Sequence, residues 1–341
     1  MKLEVRNLKK SFESNQVLHG ISFEVESGSA LGLLGRNGAG KTTTIRIVMD
    51  VFKADEGEVY LDGKIFNPKK HLIGYLPEER GLYPKKTVLE QIVYLTRLRG
   101  LSKKEAVDNA KKWLKRLEID EYTNRKLETL SKGNQQKVQL ASTLACEPEI
   151  VILDEPFSGL DPVNSKILQD VVTEVINEGR IVIFSSHQFC RDIAIIDKGN
   201  VALSGNLKSI KKQYGENQLV ISDVTKGLAE LSEIIKEKMS DIIVETGRTR
   251  EELIVRNISG VSRSDILKRI IECDIDVEHF ESYKPSLNDI FVSLVGDEAE
   301  DDKAAGYKNN SNDDSSHNSA AAELPQGESS EHKNVTEGGV C

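Results

Sequence analysis

The sequence lacks several features that would assign it to common protein classes. No run of 18 or more apolar residues occurs in the 341-residue chain, so we expect no membrane-spanning helix. The four cysteines, at positions 146, 190, 273 and 341, include no C-x-x-C pair. Such scattered cysteines indicate neither a zinc site nor a disulfide framework and are typical of a reducing compartment. The first five residues predict a strand and lack the pattern of a signal peptide.

An excess of basic residues is also missing. The formal net charge is −9, but residues 297–341 alone hold 11 acidic and 3 basic residues, so the remainder of the chain is nearly neutral. A neutral body argues against non-specific binding to nucleic acid. The acidic segment is rich in Ser, Asn, Asp and Ala with few large apolar residues, a composition that predicts disorder.

The most informative stretch is residues 35–43, Gly-Arg-Asn-Gly-Ala-Gly-Lys-Thr-Thr, which matches the phosphate-binding pattern G-x-x-x-x-G-K-[ST]. An apolar run typical of a buried strand precedes it, and a segment with helical spacing follows. Glycines allow backbone N–H groups to surround an anion, and the next helix directs its positive end at that anion. We expect Lys41 to reach the β- and γ-phosphates and Thr42 to bind Mg²⁺. The candidate nucleotide-binding residues here are Gly35, Asn37, Gly38, Ala39, Gly40, Lys41, Thr42 and Thr43.

The rest of the chain predicts an α/β fold of the P-loop NTPase class. Short strands with antiparallel character occupy the N-terminal region, and a helical subdomain is expected at about residues 84–145. Capping boxes at Thr87 and Ser102 predict two of its helices. We expect Trp113 to lie in the core of this subdomain because it belongs to an apolar stripe. The predicted domains are residues 1–215, a small α+β domain at 216–296, and the disordered tail at 297–341.

An acidic pair ends the second buried strand of the predicted parallel sheet. Ligands bind at the carboxyl ends of such strands, so we expect Asp154 to hold Mg²⁺ and Glu155 to act as general base on the attacking water. His187 follows the third strand and could hold the γ-phosphate and the water. The alternatives are a solvent-facing acidic pair and a structural histidine.

A second anion site is expected at residues 130–137, where Ser131 and the Gly133 amide precede a helix. This segment lies far in sequence from the glycine loop. Two such sites in one chain suggest two chains facing head to tail, each completing the nucleotide site of the other.

These motifs together resemble those of an ATP-binding-cassette (ABC) ATPase subunit. They occur in the family's order: A-loop aromatic (Phe12), Walker A (35–43), Q-loop region (73–78), signature (130–134), Walker B (150–155), D-loop (158–161) and H-loop (His187). The resemblance implies ATP and Mg²⁺ as ligands, adenine stacking on Phe12, and further nucleotide contacts from Val17 and Asp161. It also implies a second ATPase subunit and an integral-membrane permease at the cytoplasmic face of the membrane, with no nucleic acid partner.

Finer resemblance is to exporter-type subunits with a short C-terminal domain, such as sodium-extrusion and multidrug ATPases. Three features differ from the family pattern: Glu78 replaces the usual glutamine, the signature reads L-S-K-G-N, and the segment after His187 is about six residues shorter, or roughly a turn and a half of helix. We expect Glu78 to remain a metal ligand, because carboxylates suit Mg²⁺. The alternative function is a soluble ABC ATPase of translation or DNA maintenance.

Overall fold

The structure is a computed structural model that describes residues 1–79, 81–185, 190–249 and 251–295. Three β-sheets organise these residues. The strands are β1 (Lys2–Phe12), β2 (Asn15–Glu26), β3 (Ala30–Leu34), β4 (Glu56–Leu61), β5 (Lys64–Ile65), β6 (Ile73–Leu76), β7 (Ile150–Leu153), β8 (Ile181–Phe184), β9 (Asp192–Asp197), β10 (Asn200–Asn206), β11 (Gln218–Asp223), β12 (Ile243–Arg248), β13 (Leu253–Asn257) and β14 (Val277–Ser282). The helices are α1 (Lys41–Val48), α2 (Val88–Leu98), α3 (Lys103–Arg116), α4 (Lys132–Leu144), α5 (Pro162–Asn177), α6 (Leu207–Tyr214), α7 (Leu228–Lys238), α8 (Arg263–Glu272) and α9 (Leu287–Val295).

The central sheet has the strand order β10-β9-β3-β8-β7-β6. All of its neighbouring strands pair in parallel except β10, which pairs antiparallel with β9. Strands β3, β7 and β8 are buried on both faces, which explains their continuous apolar sequences. Because β3, β8, β7 and β6 are parallel neighbours, the loops after their carboxyl ends meet at one edge of the sheet.

The N-terminal antiparallel sheet has the order β2-β1-β4-β5. Its apolar side chains, including Leu3 and Val5, join Leu33, Ile45 and Ile152 in one buried cluster. Apolar residues at 17–18 and 21–25 predict two short strands, but both lie in the single strand β2, because Gly20 at φ 124° lets the pairing with β1 continue past it. Phe12 is the last residue of β1.

The helical region follows its local sequence closely. Both expected capping boxes are present, with Thr87 capping α2 and Ser102 capping α3. Trp113 is fully buried in the same apolar cluster as Val138 and Leu153, which confirms it as a core residue. None of the helices in the described part of the chain combines the length and apolar character needed to cross a bilayer.

The third sheet has the antiparallel order β12-β13-β11-β14, with α7 and α8 packed against it. The sequence Ile-Asp-Val at residues 275–277 predicts a strand, but β14 begins only at Val277. Asp274 takes φ 56°, and the Asp276 amide donates to the Asp223 carboxylate at 2.9 Å, so this turn cannot enter the ladder.

Asp223 connects three segments of this C-terminal part. Its carboxylate accepts hydrogen bonds from the Thr225 amide at 2.7 Å, the Thr225 hydroxyl at 2.9 Å, the Lys226 amide at 2.6 Å and the Asp276 amide. Burial alone would raise the pKa of Asp223, but these hydrogen bonds outweigh it and lower the pKa to about 2. The ionised carboxylate therefore stabilises the fold.

We predict that Asp223→Ala lowers the free energy of unfolding by about 2–3 kcal/mol at neutral pH, because four donors lose a charged acceptor. The difference from the parent protein should shrink as the pH falls from about 4 to 2, where Asp223 becomes protonated. Urea unfolding measured at several pH values tests this. Asp108→Asn, at an exposed position of α3, is the control. An unchanged difference at low pH would contradict the role of the charge.

Candidate active site

The loop between β3 and α1 is shaped by glycines that no other residue could replace without strain. Gly40 has φ 110°, and a Cβ there would lie 2.6 Å from Cδ2 of Leu18. A Cβ at Gly35 would overlap the carbonyl oxygen of Ile196. Gly38, at φ 83°, has open space around it. The first two glycines fix the loop against its neighbours, whereas the third faces the space in which a phosphate would lie.

The loop combines a cationic side chain with helix amides that no side chain caps. The Lys41 ammonium donates to the carbonyl oxygens of Gly35 at 2.8 Å and Arg36 at 3.1 Å, so it lies across the loop. No side chain caps the N-terminus of α1, where Gly40 is the capping residue. Uncapped amides, a helix dipole and an ammonium together form a strong anion-binding arrangement. This geometry fits a nucleotide phosphate.

The three predicted metal ligands line one cavity of about 660 Å³. Thr42 reaches it from the start of α1, Glu78 from the loop after β6, and Asp154 from the end of β7. One hydroxyl and two carboxylates are hard oxygen donors that suit Mg²⁺, which normally completes its shell with water and phosphate oxygens. No group of three or more His, Cys, Asp or Glu residues in the described ranges could hold a metal ion without such help.

Glu155 lies at the same edge in a strained backbone conformation. Its φ is 47°, and its amide donates to Oγ of Ser185, beyond the end of β8, at 2.7 Å. Burial and the negative charge of Asp154 raise the pKa of Glu155; Lys41 opposes this rise and Glu78 adds to it. A carboxyl group with a raised pKa is a better proton acceptor at neutral pH.

Sequence reasoning missed several residues of this edge. Arg46, Lys69, Tyr75 and Arg99 line the cavity of the predicted metal ligands. Burial and the charge of Asp154 raise the pKa of Tyr75, so its hydroxyl is held neutral beside that carboxylate. Ser185 could have been found from its place directly after an apolar strand, and Tyr75 from its place in the Q-loop region. Arg46, Lys69 and Arg99 come from segments without a motif.

The predicted adenine-binding residues are placed less directly. Val17 lies beside the loop, since its carbonyl oxygen would be 3.4 Å from a Cβ at Gly40. Phe12 is 43% exposed and packs edge-to-face on Phe52, with ring centroids 5.3 Å apart. Exposure leaves its ring accessible for stacking, and its contact with adenine stays a prediction.

The predicted signature and D-loop residues meet each other but not the glycine loop. Ser131 caps α4, Asp161 caps α5, and Asn164 of α5 contacts Gly133 closely enough to lie 3.0 Å from a Cβ there. Ser131 and Asp161 are exposed and do not line the cavity of Thr42 and Asp154. The structure thus separates two groups of predicted site residues. His187 lies outside the described residues.

Together the fold and this edge define a P-loop nucleotide-binding protein. Residues 18–158 match the family model described as "ABC transporter", and residues 205–295 match "ATP-binding protein DrrA1-3-like, C-terminal domain". The chain is 38% identical over 303 residues to the uncharacterized ABC transporter ATP-binding protein YhaQ of Bacillus subtilis, covering 86% of this chain and 98% of that protein. It belongs to the ATP-binding proteins of ABC transporters and is a transport ATPase.

Two further similarities are informative. The bacitracin transport ATP-binding protein BcrA of Bacillus licheniformis is 30% identical over 309 residues, which cover 86% of this chain and 97% of BcrA. A solved structure described as the ATP binding subunit of an ABC transporter matches with a TM-score of 0.57 and 28% identity, over 63% of this chain and 94% of that one. The relatives support the transporter hypothesis over the soluble alternative.

We predict that Glu78→Gln shifts the acid limb of the kcat–pH profile to lower pH. Glu155, as the predicted base, would accept a proton only when ionised, so hydrolysis should be retained above its pKa and lost as the pH falls through it. Removing the Glu78 charge removes one cause of the raised pKa of Glu155. Steady-state rates at saturating ATP and Mg²⁺ test this, with Glu79→Gln, a neighbour lining the same cavity, as control. An unmoved acid limb would contradict the coupling of these two carboxylates.

Proposed function

We propose that this chain binds Mg²⁺–ATP at the carboxyl edge of β3, β8, β7 and β6 and hydrolyses it with Glu155 as general base. One observation carries the proposal: four adjacent parallel strands deliver the glycine loop, Ser185, the pair Asp154–Glu155 and Glu78 to one place. The residues predicted to bind phosphate, to bind metal and to accept a proton then all lie at one edge of the sheet. The placement supports a reaction at phosphate because cationic and amide donors face acidic oxygen ligands there.

Each side chain has a distinct task in this proposal. Lys41 and the α1 amides bind the phosphates, while Thr42, Asp154 and Glu78 hold the metal. Mg²⁺, when bound, neutralises charge on the β- and γ-phosphate oxygens. Ser185 fixes the backbone of Glu155, so its carboxylate keeps one orientation toward the water it deprotonates. His187 is proposed to hold the γ-phosphate on the resemblance alone.

A second ATPase subunit is proposed to complete the site. Ser131 and Gly133 begin α4 with an anion-binding turn, and this turn lies apart from the glycine loop of its own chain. A phosphate bound on the other subunit gives this turn its ligand. Asp161 lies beside the same turn through Asn164 and is proposed to contribute to the interface.

The transport partner is proposed to be an integral-membrane permease, with this chain on the cytoplasmic face. A surface formed by Tyr83, Tyr94 and Leu98 supports the contact: these side chains are 49%, 51% and 65% exposed, and the two tyrosine rings lie 6.2 Å apart. Aromatic residues of this kind are enriched in protein interfaces. Export is the proposed direction, because the sequence resembles exporter-type subunits.

The proposed domain boundaries are those predicted from the sequence. Residues 1–215 would form the ATPase domain, 216–296 a small α+β domain, and 297–341 the acidic tail. The match of residues 205–295 to a separate family model supports the second of these.

We predict that Glu155→Gln leaves ATP binding intact but slows hydrolysis by at least ~10²-fold, because the amide cannot accept the proton. The variant should accumulate as an ATP-bound dimer, measured by size-exclusion chromatography with light scattering. Lys41→Ala is the complementary control and should lose ATP binding itself, measured by calorimetry. Hydrolysis by Glu155→Gln at the parent rate would remove Glu155 from the role of base.

We predict that tagged Glu155→Gln with ATP captures a multi-span membrane protein in stoichiometric amount from detergent-solubilised cells. The additional change Tyr94→Arg should reduce this capture, since it places a charge in the proposed contact. Ile271→Arg, at a 75% exposed position of the C-terminal part, is the matched control. Capture of ribosomal or nucleic-acid-associated proteins alone would contradict a permease partner.

A further inference from the structure

One face of α4 holds the loops at the carboxyl edge of the central sheet. Gln136, Gln139 and Thr143 are spaced as i, i+3 and i+7, so they project from the same side of the helix. Gln136 and Gln139 each donate a hydrogen bond to a backbone carbonyl outside the helix. The Thr143 hydroxyl donates to the Gln139 carbonyl within α4 at 2.9 Å and also lies 3.4 Å from the Tyr75 carbonyl. All three side chains belong to buried residues. The receiving carbonyls lie in or beside the segments that carry Glu78 and Glu155.

Gln139 holds the segment of Glu78 from both sides. Its Nε2 donates to the carbonyl oxygen of Pro77 at 3.1 Å and to that of Glu79 at 3.4 Å. The next turn of the helix continues the contact, since the Thr143 hydroxyl lies 3.4 Å from the carbonyl oxygen of Tyr75. Glu78 itself is exposed and lines the cavity with Thr42 and Asp154. Its backbone position therefore depends on Gln139.

Gln136 makes the corresponding contact with the turn of Glu155. Its Nε2 donates to the carbonyl oxygen of Pro156, the next residue after Glu155, at 3.3 Å. The Glu155 amide is already held by Ser185. The strained turn is thus fixed on one side by β8 and on the other by α4.

Gln139 is costly as a packing residue alone. It is 4% exposed, and its Oε1 makes no hydrogen bond to another group in the described part of the protein. A buried acceptor without a partner costs about 1–3 kcal/mol. An apolar side chain of equal size would avoid that cost but would leave the Pro77 and Glu79 carbonyls without this donor. The two donated hydrogen bonds therefore explain the choice of residue.

The same helix is capped by Ser131, and Gly133 lies in its first turn. Gln139 lies eight residues beyond Ser131, or about 12 Å along the helix axis. We propose that Gln136 and Gln139 are positioning residues that connect the anion-binding turn of α4 to the Glu155 and Glu78 loops of the same chain. When the turn of one subunit binds a phosphate held by the second subunit, the contact then affects the positions of the metal ligand and the base in the first subunit. The proposal rests on the proposed roles of Glu78, Glu155 and Ser131.

The first test uses Gln139→Met, which keeps the side-chain volume and removes both donors. We expect the Mg²⁺ concentration for half-maximal hydrolysis to rise roughly three- to tenfold, the factor that a lost buried hydrogen bond gives. The KM for ATP at saturating Mg²⁺ should change less than twofold, because the glycine loop is untouched. In a Glu78→Gln background the same change should have little further effect on the Mg²⁺ requirement, since Gln139 acts through Glu78.

The second test uses Gln136→Met, which affects the other loop. Here we expect kcat to fall roughly three- to tenfold while the Mg²⁺ requirement stays as in the parent protein. The matched control is Gln91→Met, because Gln91 is a 2% exposed glutamine of α2 that bonds the Tyr83 and Thr87 backbone instead. A general effect of burying methionine would appear equally in all three variants, and that outcome would overturn the proposal.

Thermal unfolding of each variant accompanies these measurements. If Gln139→Met fails to fold, Gln139→Asn takes its place, because its shorter amide cannot reach both carbonyls; failure of both variants to fold would make Gln139 a structural residue and overturn the proposal. An unchanged Mg²⁺ requirement in a folded variant would also overturn it. Lys41→Ala, assayed in parallel, distinguishes failure of this proposal from failure of the proposed function. Retained ATP binding by Lys41→Ala would refute the proposed nucleotide site itself.

Discussion

The close approach of the glycine loop to its neighbours is the constraint on which the rest of the structure depends. A Cβ at Gly35 would overlap the end of β9, and one at Gly40 would meet Leu18 of β2. The turn after β9 is drawn in as well, because the Gly199 amide donates to the Ala39 carbonyl at 3.1 Å and the His19 amide donates to the Gly199 carbonyl at 2.8 Å. The loop thus joins the parallel sheet to the antiparallel one. With both sheets fixed to it, its amides keep one orientation, which is the requirement for preorganised phosphate binding.

Acidic groups at the same edge repel one another, and this repulsion raises the pKa of the proposed base. Asp154 and Glu78 both raise the pKa of Glu155, and burial raises it further, while Lys41 acts in the other direction. These carboxylates repel one another in a partly buried place, while Arg46, Lys69 and Arg99 also line the cavity and offset part of their charge. A divalent cation would relieve the remaining repulsion, and carboxylate oxygens of this kind are its usual ligands. The carboxylate at position 78, in place of the family's glutamine, strengthens this repulsion, because it adds a charge while keeping a side-chain oxygen for the proposed metal contact.

Local chemistry made much of this architecture predictable. The glycine loop, the capping boxes at Thr87 and Ser102, the apolar strands β7 and β8 and the helix of Trp113 all follow from residues close in sequence. Features that depend on distant partners were missed. Strand β6 has four residues with a glycine among them, and it forms because Ile73–Leu76 pairs with β7. Likewise β14 starts late because Asp223, more than fifty residues earlier, takes the Asp276 amide. The contact of Ser185 with the Glu155 amide joins residues thirty positions apart.

Helix α4 lies between the two separated groups of proposed site residues, and its position suggests how they could be coupled. Its first turn, at Ser131 and Gly133, is exposed and lies against α5, away from the glycine loop. Its later turns are buried and face the loops that carry Glu78 and Glu155, the proposed metal ligand and base. A helix transmits displacement along its axis because its backbone hydrogen bonds keep its length fixed. A displacement of the exposed turn along the helix axis would therefore change the hydrogen bonds of Gln136 and Gln139. This is how the proposed coupling would join the two places within each chain.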